Sequence, residues 1–310
     1  RLPTAQECRE QLGYTAWDEY RITREIARDF LQSPPFTAQL EHTARVAAVQ
    51  ARLTALQTGF TARVVAQIEA AYRRVLTRRP DDWQVRSNLA GFLLTARRKP
   101  AEAVVELQRV LAATPHNAGV LQTLARTYLQ MRQSADAIAA CRRSLRIMPW
   151  NATTYNDLGI ALLQTNDAKA AARAFRSALR CDPSNAQAHC NLGIVALSQG
   201  DSVAAVRHFS DGLTITPDDP DLHKNLATAY ARHNAWADAE RHYRIAVRDG
   251  AASADVFAGL GICLIRLGRP YEAIDVLRYA LALQPDLAQA RAALAAAQAE
   301  LSAAPRQLPK

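Results

Sequence analysis

Residues 151–185 read NATTYNDLGIALLQTNDAKAAARAFRSALRCDPSN, and the pattern in that stretch can be laid over most of the chain after it and part of the chain before it. Leu124, Leu158, Leu192, Leu226 and Leu260 recur at steps of 34 residues. Ala137, Ala171, Ala205, Ala239 and Ala273 keep the same step, as do Pro115, Pro149, Pro183 and Pro217, with Pro285 two steps further on. A fixed period between about 20 and 50 residues marks a stacked-repeat architecture and outranks any local assignment of secondary structure. The chain reads as a solenoid.

Within one period, Tyr155, Leu158, Leu162 and Leu163 stand at helical spacing. Ala171, Phe175, Ala178 and Leu179 resume that spacing after a polar break at Thr165, Asn166 and Asp167. So short a break predicts two antiparallel amphipathic helices. Gly159 and Ala171 are small where a core expects bulk, which lets the two backbones approach, and Phe175 fills the space beside them. Pro183 stops the second helix, because proline lacks the N–H and clashes with the preceding turn. One such hairpin leaves an apolar face bare, so it needs neighbours on both sides.

These residues resemble the tetratricopeptide repeat family. The first-helix pair is supplied by Leu124-Ala125, Leu158-Gly159, Leu192-Gly193, Leu226-Ala227 and Leu260-Gly261. Cys141, Phe175, Phe209, Tyr243 and Leu277 take the aromatic position, and Ser144, Ala178, Gly212, Ala246 and Ala280 the second small one. The resemblance implies an all-α, right-handed solenoid of helix hairpins, with six repeats over 83–287. A helical extension with a degenerate, repeat-like hairpin is expected over 1–82. A capping helix is expected over 288–304 and a tail over 305–310. In the extension, helices are expected over 15–31, 37–57 and 61–78, with Tyr72 at the aromatic position of the degenerate hairpin and Pro80 at its end. Leu89 to Leu124 is 35 residues, which puts one extra residue in the turn near Arg97–Pro100. Gly250-Ala251 replaces the proline stop of the fifth repeat, and Gly250 is suited to a left-handed cap.

Composition narrows the function. No apolar run of 18 residues occurs, so no spanning helix is expected, and a cytoplasmic location is favoured. Five scattered cysteines form no CxxC pair, and Cys141 and Cys263 fall on core positions. The 38 Lys plus Arg outnumber the 29 Asp plus Glu, for a net charge of +9. The excess is arginine, spread over second helices (Arg142, Arg143, Arg146; Arg173, Arg176, Arg180; Arg241, Arg244, Arg248) without aromatic residues to form a stacking platform. A solvated outer face, open to an acidic partner, is favoured over a nucleic-acid surface.

In such a stack the first helices line a concave wall. The position before the phased Leu holds Asn88, Thr123, Asp157, Asn191, Asn225 and Gly259. A column of asparagines offers donors and acceptors to the backbone of an extended peptide, a use the resemblance also implies. Beside it run Arg126, Ile160, Ile194, Thr228 and Ile262, then Leu129, Leu163, Leu197, Ala231 and Ile265. This apolar strip either packs between first helices or anchors a peptide. Lys224, Arg232 and Arg266 add positive charge that suits acidic side chains or a terminal carboxylate. The candidate groove is therefore Asn88, Arg126, Asp157, Asn191, Lys224, Asn225, Thr228, Arg232 and Arg266. On this reading, replacing Asn191 and Asn225 by alanine weakens binding and leaves the melting temperature nearly unchanged. His189 and His223, like His208 and His242, are 34 apart and are expected to stack across neighbouring repeats. No acidic or cysteine column is evident beside either pair, so no metal site is expected.

No nucleophile-base constellation, phosphate loop or metal motif stands out, and no cofactor is expected. The expected function is a non-catalytic scaffold for a protein or peptide, with oligomeric state open. The alternative is a substrate-presenting or regulatory arm of an enzyme whose catalytic domain lies upstream of Arg1. Residues 2–21 and Pro34-Pro35-Phe36 resemble a connector of bacterial proteins that place a hydrolase-like domain before such repeats, which would explain the absent Met.

Overall fold

The structure, a computed structural model, describes residues 62–303. The expected helices over 15–31 and 37–57, the connector-like segment and the tail lie outside the described residues. The chain divides into two compact units between Arg78 and Arg79. In the first unit the described residues form one helix, α1 (62–78), on which Arg73 pairs with Glu69 one turn earlier at 3.0 Å.

The second unit is six antiparallel helix hairpins and a final helix. The hairpins are α2 (Trp83–Thr95) with α3 (Pro100–Ala113), α4 (Ala118–Gln130) with α5 (Ser134–Ile147), and α6 (Ala152–Gln164) with α7 (Ala168–Cys181). They continue as α8 (Ala186–Ser198) with α9 (Ser202–Ile215), α10 (Pro220–Arg232) with α11 (Trp236–Arg248), and α12 (Ala254–Arg266) with α13 (Pro270–Leu283). Each second helix packs on the first helix of the next hairpin, and from α4 onward successive first helices also touch. The last helix, α14 (Ala288–Ala303), packs on both α12 and α13 and buries Ala290, Ala293 and Ala297 against them. The described residues form no strand, and the chain is an all-α repeat solenoid.

Caps explain where the helices begin and end. Asp82, Asn117, Asn151, Asn185 and Asp219 each accept from a backbone N–H of the following first helix at 3.0–3.1 Å, and Asp167 and Asp201 do the same for α7 and α9 at 2.9 Å. A side-chain oxygen in that position satisfies an N–H that the helix itself leaves orphaned. First helices finish on a left-handed residue at a column of its own: Arg98, Arg132, Asn166, Gly200, Asn234 and Gly268 all have positive φ. From the second repeat on, the next N–H returns to a carbonyl five residues back, as in Asp167 to Leu162 at 3.0 Å. The first repeat needs a six-residue return, Lys99 to Leu93 at 2.9 Å, which absorbs its extra turn residue. Gly250 has φ +113°, and Ala251 N–H reaches Ala246 O at 2.8 Å, so a Schellman closure replaces the missing proline.

The hairpins close on the small residues. A Cβ added at Gly159 would lie 2.3 Å from Phe175, at Gly193 2.5 Å from Phe209, and at Gly261 2.5 Å from Leu277. Those three large side chains are fully buried. In the fifth repeat the aromatic ring leans elsewhere: Tyr243 approaches Gly259 of the next first helix, where a Cβ would meet its Oη at 2.7 Å. Cys141 and Cys263 are buried, and burial pushes both thiols up to about 12. Ser144 spends its hydroxyl on the Ala118 carbonyl at 3.1 Å. The nine arginines expected on the outer face of the second helices are all exposed.

Gly193→Leu is expected to cost at least the upper end of the about 1–3 kcal/mol typical of overpacking, read by urea denaturation. Gly91→Ala is the matched control, because nothing lies within 4 Å of its added Cβ. It should stabilise by about 0.5–1 kcal/mol through helix propensity alone.

Candidate functional site

The inner wall is built from the first helices, and the structure places the nine sequence-picked residues on it in a state different from the one expected. Asp157 and Asn191 are buried, at 5% and 7% exposure, and so are not free to meet a ligand. Arg126 Nε donates to Asp157 Oδ2 at 3.0 Å, joining the second repeat to the third. Asn191 Nδ2 donates to Asn156 Oδ1 at 2.8 Å, joining the fourth to the third. Asn225 Nδ2 approaches Cys190 Sγ at 3.5 Å, and Arg232 Nη1 donates to the Leu197 carbonyl at 2.9 Å, so the fifth repeat is tied to the fourth twice.

The expectation of an amide column open to a peptide backbone is therefore corrected. Two adjacent first helices bring position 5 of one hairpin (Asn156, Cys190) against position 6 of the next (Asn191, Asn225). Side chains that water would otherwise satisfy find each other there. Buried polar groups need such partners, since leaving one unmade costs about 1–3 kcal/mol. The signal that sequence reasoning missed was Asn156, a second amide beside the first.

The other picks are also engaged. Asn88 accepts from Gln84 one turn earlier at 3.5 Å, and Lys224 pairs with Asp221. Thr228 Oγ1 donates to the Lys224 carbonyl at 3.0 Å and lies 3.1 Å from Tyr243 Oη. Arg266 sits over the Trp236 ring, 5.3 Å from its centroid, a cation–π contact that leaves the guanidinium edge open. Arg232 and Arg266 are exposed and have no carboxylate partner among the described residues.

A cluster of ion pairs joins two second helices instead. Arg244 and Arg269 bridge Glu240 and Glu272, with N–O distances of 2.7–3.4 Å, across α11 and α13.

What the wall does offer is apolar. Ile194 is 41% exposed, and Ile160 and Ile262 are partly so. The strip opens at its C-terminal end into a cleft of about 600 Å³ between α12 and α14. Ile262, Ile265, Ala292 and Ala296 line it, with Arg266, Gln289 and Glu300 as its polar groups.

The histidines also differ from expectation. They pair within hairpins rather than along the stack: His223 with His242, ring centroids 5.1 Å apart, and His189 with His208, 6.1 Å apart. His223 Nδ1 and His242 Nδ1 are hydrogen-bonded at 2.9 Å, and His223 Nε2 reaches the Pro217 carbonyl at 2.9 Å. Burial and the neighbouring His223, with Arg241 behind them and Asp238 opposing, lower His242 to about 4. No acidic or cysteine column runs beside these pairs, but in the fourth repeat a single carboxylate, Asp211, lies against His189 and His208.

Removing Arg126 strands a buried carboxylate whose acidity burial already weakens. Arg126→Ala should therefore cost about 1–3 kcal/mol, and the double change Arg126→Ala with Asp157→Asn should recover most of it in urea denaturation. For the same reason Asn191→Ala with Asn225→Ala lowers the melting temperature, contrary to the sequence expectation.

His242 in the unfolded chain takes a proton near its ordinary 6.5, and in the folded chain only near 4. The unfolded state binds more protons in that window, so stability falls as pH drops from about 6.5 to 4. Tyr230 stacks on the same ring with centroids 5.6 Å apart. A melting series over that range should show a shallower fall for His242→Gln than for the wild type.

Comparisons with known proteins agree with this architecture. A tetratricopeptide repeat model matches residues 66–118, 156–220 and 224–288, and a second model of the same description matches 94–143. The first match begins inside α1, so the repeat pattern reaches back before Trp83. No curated protein matches the chain in sequence.

Among solved structures, the APC/C hetero-tetramer Cut9–Hcn1 superposes with a TM-score of 0.63 at 18% identity, covering 75% of this chain and 46% of that one. This chain thus spans just under half of that neighbour's length. The PilF protein of Pseudomonas aeruginosa gives 0.61 at 20% identity, covering 70% and 97%. YrrB, described as a repeat protein with an unusual peptide-binding site, gives 0.51 at 19% identity, covering 60% and 96%. These likenesses are of fold. Since the first model alone matches more than half of the 310 residues, the chain belongs to the tetratricopeptide repeat family, whose members are protein-interaction scaffolds.

Proposed function

We propose that the chain is a non-catalytic scaffold that holds a protein or an extended peptide along its inner wall through apolar anchors. The docking end is the cleft between α12 and α14. The observation that carries this reading is the partly exposed isoleucine strip running into a cleft lined by Ile262 and Ile265. A few buried anchors supply most of the affinity in such grooves. The polar ladder of Asp157, Asn191 and Asn225 holds the wall in register and does not read the ligand. Arg232 and Arg266, free of carboxylates, select an acidic side chain or a terminal carboxylate near the same end. No helix among the described residues is long and apolar enough to cross a membrane.

Affinity capture from the source cell, comparing the wild type with Ile194→Asp and Ile262→Asp, tests the proposal. Both positions are partly open, so circular dichroism should remain unchanged while the captured partner is lost. Loss of tenfold or more in affinity, about 1.4 kcal/mol, is the expected size. Recovery of the same partner by both variants would move the binding surface elsewhere. Arg266→Glu should weaken an acidic partner and leave a neutral one untouched.

A further inference from the structure

The fourth hairpin carries a side-chain cluster that the scaffold reading does not use. His189 lies on α8, and His208 and Asp211 lie one turn apart on α9, so two antiparallel helices converge three ligand-type groups. One ligand atom from each lies within 4.8 Å of the other two, and His189 Nδ1 is 3.7 Å from Asp211 Oδ2. That distance is too long for a hydrogen bond. It is close to the spacing of roughly 3.4 Å between ligands that share a tetrahedral ion at about 2.0–2.1 Å.

His189 Nδ1 and His208 Nδ1 are both buried and have no hydrogen-bond partner. Buried polar atoms are nearly always satisfied, so two orphaned ring nitrogens in a cluster that also holds a carboxylate call for an explanation.

The next repeat is an internal control. One period on, His223 and His242 occupy the positions of His189 and His208, and Ile245 stands where Asp211 stands. There the carboxylate is gone, and the two rings close on each other through a 2.9 Å hydrogen bond. On the same helical frame, the pair with a carboxylate at that position leaves both Nδ1 atoms open, and the pair with Ile245 there does not.

We propose that His189, His208 and Asp211 bind a divalent transition metal ion of the zinc type, with the fourth position left to water or to a donor from a bound partner.

Two imidazoles and one carboxylate suit such an ion. The Asp211 side chain is 48% exposed and gives the ion a way in. Arg207 and Arg176 approach His208 and oppose a second positive charge. Asp211 offsets them.

The test is calorimetric titration of the whole chain with Zn²⁺, with Co²⁺ as a spectroscopic probe of coordination. Wild type should take up an ion that raises its melting temperature, since a ligand that binds only the folded state stabilises it. His208→Gln and Asp211→Asn should each weaken that uptake at least about tenfold, the least that disturbing even an outer partner of a metal ligand does. His242→Gln, in the equivalent pair, should leave it intact. The proposal is overturned if folded wild type takes up no Zn²⁺. Equal uptake by the wild type and both ligand variants would overturn it as well, as would loss of the ion in His242→Gln.

Discussion

The structure depends on small residues at the crossing of the two helices in each hairpin, and in the third, fourth and sixth hairpins on a missing Cβ there. At Gly159 and Gly193 the aromatic ring of the second helix occupies the volume a side chain would need, with contacts of 2.3 and 2.5 Å to the imagined Cβ. Interiors are packed too densely to yield that much room. The approach sets the angle of each hairpin, and the angle sets which face is left for the next repeat. Where the small residue is Ala227, the large partner Tyr243 turns outward onto Gly259 and gives its hydroxyl to Thr228, so the same accounting of volume is settled between repeats five and six.

Once the hairpins are fixed, their order along the stack is held by different chemistry. Hydrophobic contact between successive helices is not directional and would tolerate a slip. The contacts from Arg126 to Asp157, from Asn191 to Asn156, from Asn225 to Cys190 and from Arg232 to the Leu197 carbonyl would not. Burying Asp157 raises its pKa despite the nearby guanidinium, so desolvation outweighs the pair's attraction there. Such a group is a poor source of stability and a good source of register. The exposed half of Arg126 keeps the cost modest.

The period, the hairpin and its small-large pairing were legible because each residue is constrained by the same contact in every copy. The extra residue near Arg97 and the Gly250 cap were legible because they break the phase. The inner wall was not, because a column at one helical position says where side chains start and not what they reach. Asn191 looked free until Asn156 was seen at the facing position of the previous repeat. The histidines failed for a related reason. A step of 34 locates equivalent sites in neighbouring hairpins, but the nearest neighbour of a side chain is across its own turn, where His189 faces His208 and His223 faces His242. Gly193 and Phe209 already marked that pairing of positions.

The position held by these histidine pairs varies from copy to copy. It holds Tyr155 with Ala174, then His189 with His208, His223 with His242, and Phe257 with Val276. In the sixth repeat, Tyr279 replaces the acid and packs edge-on against Phe257, with centroids 4.7 Å apart. An apolar or aromatic pair there extends the core, and a histidine pair with its own hydrogen bond does nearly the same. A histidine pair beside a carboxylate leaves two nitrogens without partners, which a core does not need. Stability alone therefore favours the aromatic version at this position. The fourth repeat carries the version whose polar atoms are completed only from outside the chain.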